Sequence, residues 1–200
     1  MTQLKNKTAL VTGAGRGQGQ AIALALAQAG ARVIAIDVNP DAVERTAALI
    51  GPSASAQTAD VSNKMAVQTL LYSILETDTR LDILVNAAHV TPGSPALKLD
   101  EWEWNRTMDV NLKGAFLMAQ TVARAMKETG GGVIINIARP AQASPHAAVR
   151  AARAGLVGLT DALANEWRAF NVRVVLVQAS EAEATAAQVL NTCVAFAQAE

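Results

Sequence analysis

The sequence predicts an α/β protein built on one doubly wound parallel sheet of about six strands. Three observations predict it. Short β-branched apolar runs alternate with longer amphipathic segments along the chain, the pattern of repeated strand–helix–strand units. The strand candidates are continuously apolar rather than alternating, as strands are when helices cover both faces of a sheet. No internal repeat, linker or low-complexity tract interrupts the pattern, so residues 1–200 read as a single domain.

Thr8 to Val11 is the first strand, ended by Gly13, and Gln18 to Ala29 is an Ala/Leu/Ile-rich helix stopped by Gly30. Arg32 to Asp37 (RVIAID) is the second strand. Asn39-Pro40 opens the next helix, because Asn caps helices and Pro suits the first helical position. That helix runs to Leu49, and Gly51-Pro52 ends it. Ala54 to Thr58 is a third strand leading to Asp60, followed by a helix from Ser62 to Glu76. Leu81 to Asn86 (LDILVN) is strand four, and His89 to Pro95 a loop. One long helix is predicted from Asp100 to Lys127, broken by Gly130-Gly131-Gly132. Val133 to Ile137 is strand five, His146 to Phe170 a second long helix, Arg173 to Val177 strand six, and Ala184 to Ala199 a terminal helix.

Composition narrows the function classes. Hydrophobic residues make up 51% of the chain, enough for a sizeable core, and 17 basic residues balance 17 acidic ones without a block of either sign. That distribution offers no footprint for nucleic acid or an anionic membrane surface. No apolar run has the length of a membrane span and no signal-peptide pattern opens the chain, so a cytoplasmic protein is expected. Cys193 is the single cysteine, and is expected to be a buried small apolar residue. His89 and His146 stand far apart, so neither a disulfide framework nor a metal site is expected.

The strongest motif joins strand one to the first helix: TGAGRGQG, residues 12–19. Gly13 permits the tight turn, while Gly17 and Gly19 let backbone approach a pyrophosphate and let the helix pack on the strand. The helix N-terminus then offers free N–H groups and partial positive charge. An acidic residue about twenty positions on completes the context. That residue is Asp37, which can accept hydrogen bonds from a ribose diol and would repel a 2′-phosphate. Arg16 pulls the other way, since it could pair with that phosphate; Asp37 is weighted more heavily, and NAD is expected over NADP.

The spacing Thr12-Gly13-x-x-x-Gly17-x-Gly19 resembles that of the short-chain dehydrogenase/reductase (SDR) family, and the likeness continues over residues 5–178. Asp60-Val61 resembles the family's adenine-contacting pair, and DILVNAA (82–88), with Asn86 and Ala88, the segment after its fourth strand. VNLKGAF (110–116) carries the family's helix Asn as Asn111. GGVIINIA (131–138) resembles its fifth strand, and ARAGLVGLTDALANEW (152–167) its active-site and interface helix. The resemblance implies a Rossmann-like fold and a bound dinucleotide held by Gly13, Arg16, Gly17, Gly19, Asp37, Asp60, Val61, Asn86 and Ala88. It also implies an oligomer through the two long helices, either with itself or with an active family member. The chain stops at Glu200, so the family's substrate lid and last strand are expected to be missing or vestigial.

The resemblance also locates a departure. The family protonates its product from a Tyr, with a Lys four residues on and a Ser orienting the carbonyl. The matching positions here are Val149, Arg153 and Arg139, and only Asn111 of the four remains. The one tyrosine, Tyr72, is far upstream, no lysine follows Lys127, and Ala179-Ser180 replaces the family's Pro-Gly. His89 replaces a Gly near where cofactor would pass. No catalytic residue is therefore assigned, and a non-catalytic dinucleotide-binding or scaffolding subunit is expected. The alternative is an NAD(P)-dependent alcohol/ketone oxidoreductase with a non-standard proton donor. His146, one helical turn before Val149, is its candidate, although it reads more simply as a residue at a helix N-terminus. Ser144, the nearby hydroxyl, reads as a loop or cap residue. A third reading keeps only the fold, as an interaction module. Arg139, Arg150 and Arg153 place three guanidinium groups around the vacated pocket, where they could bind a carboxylate or phosphate or pair with Asp and Glu. Asn111 reads as a helix-stabilising residue. Trp102 and Trp104, two apart, cannot share a helix face, and packing is expected to explain at least one.

Overall fold

The computed structural model describes residues 3–77, 80–139 and 146–198. Strands β1 (Thr8–Thr12), β2 (Arg32–Asp37), β3 (Ala54–Thr58), β4 (Ile83–Asn86), β5 (Gly132–Ala138) and β6 (Val172–Gln178) form one sheet. All five pairings are parallel, in the order β3-β2-β1-β4-β5-β6. The chain builds outward from β1 to β3, then crosses back to lay β4 on the other side of β1. At such a reversal the connections leave the carboxyl ends of neighbouring strands in opposite directions, and a crevice opens between them.

Strand alternation sorts the core into two layers. Ala9 and Val11 face one side of β1 with Ile83, Val85, Val133 and Ile135 of the neighbouring strands. They are covered by α1 (Gly17–Gln28), α2 (Pro40–Ile50) and α7 (Ala182–Ala197), through residues such as Ile22, Leu26, Val43 and Val189. Leu10, Ile34, Ile36, Leu84 and Ile134 face the other side, against α3 (Lys64–Thr77) and α5 (Ala115–Glu128), which contribute Leu71, Met118 and Met126. Burying each such side chain contributes about 1.5–3 kcal/mol, which is why β1 tolerates no polar residue between Ala9 and Val11. At the amino edge of the sheet the buried Asp82 accepts Thr8 N–H at 2.9 Å and Arg80 Nε at 2.7 Å, tying β1 to the start of β4. Cys193 is buried as expected, and burial pushes its thiol up to about 12.

Local signals set the element ends. Asn39 caps α2 by accepting Ala42 N–H at 3.1 Å, with Pro40 at the first helical position. The helix predicted from Asp100 to Lys127 is interrupted. Asp100 caps α4 (Glu101–Met108), accepting Glu103 N–H at 2.7 Å; a π-helical turn spans Asp109–Gly114; then α5 begins. A continuous hydrophobic period carries no mark of one extra residue in a turn, so the sequence pattern read straight through it. Gly114 is required there, since a Cβ would lie 2.8 Å from Val61 Cγ2. The second long helix, α6 (Ala147–Trp167), closes in a short 3-10 turn, Arg168–Phe170. Packing explains neither Trp102 nor Trp104: they are 72% and 39% exposed on α4. Among the described residues, no helix is long and apolar enough to cross a membrane.

Candidate functional site

The crevice at the β1/β4 reversal holds an open cleft. Its walls include Gly13, Arg16, Gly17, Gly19, Asp37, Asp60, Val61 and Ala88, eight of the nine residues singled out for dinucleotide binding. The ninth, Asn86, lines a smaller adjoining cavity that Val61 and Ala88 share.

The glycine turn is built by steric necessity. Gly13 has φ +66°, and a Cβ on it would lie 2.7 Å from Ala88 Cα. A Cβ on Gly19 would overlap the Gly13 carbonyl. Gly17 differs: φ is +58°, but a Cβ there would meet nothing. Gly13 and Gly19 therefore hold the turn closed, while Gly17 leaves open space before the N-terminus of α1, whose first turn carries no acidic residue. Backbone N–H groups at a helix start, with room in front, form a phosphate cradle. Arg16, the exposed N-cap residue, borders it.

At the far end, Asp37 is fixed by backbone donors: Gly15 N–H at 2.9 Å to one oxygen and Asn39 N–H at 3.0 Å to the other. A carboxylate has about four acceptor positions, so two stay available for a ribose diol. Asp60 is more heavily engaged. It accepts Ser62 N–H at 2.9 Å, Ser62 Oγ at 2.6 Å and Arg106 Nη1 at 3.0 Å. Burial raises its pKa, but the Ser62 bonds and the Arg106 guanidinium outweigh that and hold the carboxyl below its ordinary value. Thr12, at the end of β1, accepts the Ala87 and Ala88 N–H groups at 3.1 and 3.2 Å and so fixes the chain leaving β4. Sequence reading missed Thr12 and Arg106 as site builders; a hydroxyl immediately before the glycine turn was the available signal for the first, and nothing marked the second.

The smaller cavity unites the positions that depart from the family pattern. Asn111, Arg139, Val149 and Arg153 all line it, with His89 in the wall it shares with the cleft. Arg153 Nε donates to the Arg139 carbonyl at 2.7 Å. Asn111 does not serve its own helix: its side chain accepts Val90 N–H and donates to Val90 O, both at 2.8 Å, clamping the loop after β4. Behind the cavity, Asn86 Nδ2 donates to Ala115 O at 3.2 Å and to Asn136 Oδ1 at 2.9 Å, and Asn136 donates to Thr160 Oγ1 at 2.9 Å. Asn86 Oδ1 is a buried side-chain atom with no partner. Burial, and next the Arg139 charge, push His89 down to about 4, so its imidazole is neutral at physiological pH.

Several candidates fall outside this group. Arg150 is exposed and lines neither cavity, because position 150 on α6 lies on the solvent side of the face carrying Val149 and Arg153. His146 precedes α6, its Nδ1 in contact with Ser94 O at 3.2 Å, and it borders neither cavity. Tyr72 is 69% exposed on α3. Ser144 lies outside the described residues. Among the described residues no His/Cys/Asp/Glu group could hold a metal. The cradle and Asp37 fit the adenosine–pyrophosphate half of a dinucleotide. At the nicotinamide end the lining holds neither tyrosine nor lysine.

Comparison with known proteins agrees with this geometry. The family model described as short chain dehydrogenase matches residues 7–192. D-threitol dehydrogenase of Mycolicibacterium smegmatis is 41% identical over 178 residues, covering 86% of this chain and 68% of that protein. NAD-dependent glycerol dehydrogenase of Listeria innocua serovar 6a is 39% identical, with the same coverage, 86% and 68%. A crystal structure of a metagenomic short-chain oxidoreductase in complex with NADP superposes with a TM-score of 0.90 at 33% identity, covering 96% of this chain and 92% of that one. With the family model matching residues 7–192 and a relative 41% identical over 178 residues, the chain belongs to the short-chain dehydrogenase family.

Proposed function

We propose that this chain is a nicotinamide-dinucleotide-binding member of its family whose own residues do not deliver a proton to a carbonyl, so that it acts as a non-catalytic or strongly impaired subunit. The observation that carries this reading is the lining of the smaller cavity. Carbonyl reduction leaves an alkoxide that needs an acid within hydrogen-bond reach. Val149 has no proton to give. Arg139 and Arg153 offer guanidinium groups, which do not give up a proton in proteins. His89, the titratable neighbour, has its pKa pushed down to about 4, so at physiological pH its imidazolium form is scarcely populated and it has no acidic proton to deliver. His146 is held at Ser94, away from both cavities, which removes the support for a donor at that position.

Bound dinucleotide would supply hydride chemistry. The chain's contribution is to cradle the pyrophosphate at the Gly17 turn and to receive the adenosine ribose at Asp37. Asp37 favours NAD, because a 2′-phosphate would face a carboxylate already fixed by Gly15 and Asn39; the glycerol dehydrogenase relative is named for NAD, the metagenomic oxidoreductase for its NADP complex. A partner would sit on α5 and α6, which share an apolar groove bordered by Phe116, Leu163, Trp167 and Phe170.

The test is calorimetric titration with NADH and NADPH, followed by turnover assays on glycerol and threitol with NAD. NADH is expected to bind at least about tenfold more tightly than NADPH, a difference near 1.4 kcal/mol. The chain alone should show no turnover above the protein-free blank. Robust turnover by the purified chain overturns the reading.

A further inference from the structure

We propose that the smaller cavity binds a small organic acid, its carboxylate held between Arg139 at the end of β5 and Arg153 on α6. The inference rests on the preceding reading only in taking the neighbouring cleft for the dinucleotide's place.

Charge is the first ground. The cavity's lining includes two guanidinium groups and not one carboxylate. Neither Arg139 nor Arg153 forms an ion pair among the described residues. The stretch 140–145 that follows Arg139 contains no Asp or Glu. Arg139 is exposed and Arg153 half-buried, and an anion between them would be attracted by both.

Preorganisation is the second. The Arg153 Nε bond to the Arg139 carbonyl, at 2.7 Å, uses one of five N–H groups and fastens the side chain that carries the other four to the backbone of its partner arginine. A planar carboxylate matches such a fork bidentately.

Lining is the third. Val110, Ala115, Val149 and Leu156 give the cavity an apolar side. Asn111, held at Val90 through both ends of its amide, also lines the cavity.

The probes are glycerate and its uncharged counterpart glycerol, titrated by calorimetry at low and high salt, with and without saturating ADP-ribose. Glycerate is expected to bind at least about tenfold more tightly than glycerol, in keeping with a charge-assisted bidentate pair. Added salt should weaken it, and ADP-ribose should leave it in place. The double variant Arg139→Gln/Arg153→Gln should lose this preference, whereas Arg150→Gln, on the solvent side of the same helix, should keep it. Equal affinity for glycerate and glycerol overturns the proposal, as does a preference that survives the double variant. Displacement by ADP-ribose also overturns it, since the anion would then occupy the dinucleotide's phosphate position. Should the double variant fail to melt cooperatively, the wild-type preference and its salt dependence decide. NADH titrations keep the two readings apart: glycerate binding without NADH binding supports the acid site and removes the dinucleotide assignment, and the reverse result removes the acid site alone.

Discussion

Substituting Gly17 by alanine separates the cost of a turn from the contribution of a ligand cradle. Gly17 has φ +58°, and a Cβ there would meet nothing within 4 Å. The folded protein therefore bears only the left-handed backbone cost of an L-residue, about 1–2 kcal/mol. For a chain of this size that lowers Tm by roughly 2–8 °C. The added methyl group projects into the space before α1, so a phosphate seated there must move. NADH affinity should fall at least about tenfold, or 1.4 kcal/mol. Gly51→Ala supplies the control. Gly51 ends α2 at φ +86°, its Cβ would likewise meet nothing, and it lies outside the cleft. At that φ its ψ of −149° is essentially confined to glycine, so it should lose at least as much stability and no NADH affinity. Gly19→Ala is a different perturbation, because its Cβ overlaps the Gly13 carbonyl and the turn itself must open. Thermal melting and NADH calorimetry on the three variants decide the matter. If Gly17→Ala and Gly51→Ala bind NADH equally well, no phosphate sits at the start of α1.

Two further predictions concern the smaller cavity. Restoring the missing groups together, Arg139→Ser with Val149→Tyr and Arg153→Lys, should raise NAD-dependent turnover of glycerol at least about 10²-fold, the lower end for general acid catalysis; a folded, NADH-binding triple variant with unchanged turnover would show that the impairment lies elsewhere. His89 should make stability fall with acid. Its pKa drops from 6.5 to about 4 on folding, so between those values the unfolded chain takes up a proton that the folded chain refuses. Its contribution is intact above pH 6.5 and is lost as pH falls toward 4, by up to about 3 kcal/mol. Urea denaturation at pH 7 and 4.5 should show this loss reduced in His89→Gln; an undiminished pH dependence would remove His89 as its source.

Most strands and helices were legible because their signals are local. Asn39-Pro40 announces α2, RVIAID announces β2, and the glycine spacing announces the turn, each through a backbone or side-chain preference acting within a few residues. The cleft was legible for the same reason: its walls are the ends of β1 to β4, and sequence position along a strand places them. What escaped depends on contacts between distant segments. The π-helical turn at Asp109–Gly114 leaves no break in apolar periodicity, and Asn111 reveals its role only once Val90 lies beside it. Arg106 reaches Asp60 across 46 positions. Packing was expected for at least one of Trp102 and Trp104 because large apolar side chains usually pack, and α4 leaves Trp102 72% exposed and Trp104 39%.

The reversal of strand order fixes when the binding crevice can come into being. Strand β1 reaches its second neighbour only when Thr8 meets Asp82, 74 positions later, and Arg139 and Arg153 must follow further still. Closing so long a loop is slow compared with forming the α1 and β2 contacts. During synthesis, the glycine turn thus emerges well before the strand that forms its opposite wall, and the nascent first half of the molecule presents half a mouth. The crevice with both of its walls exists only in the finished sheet.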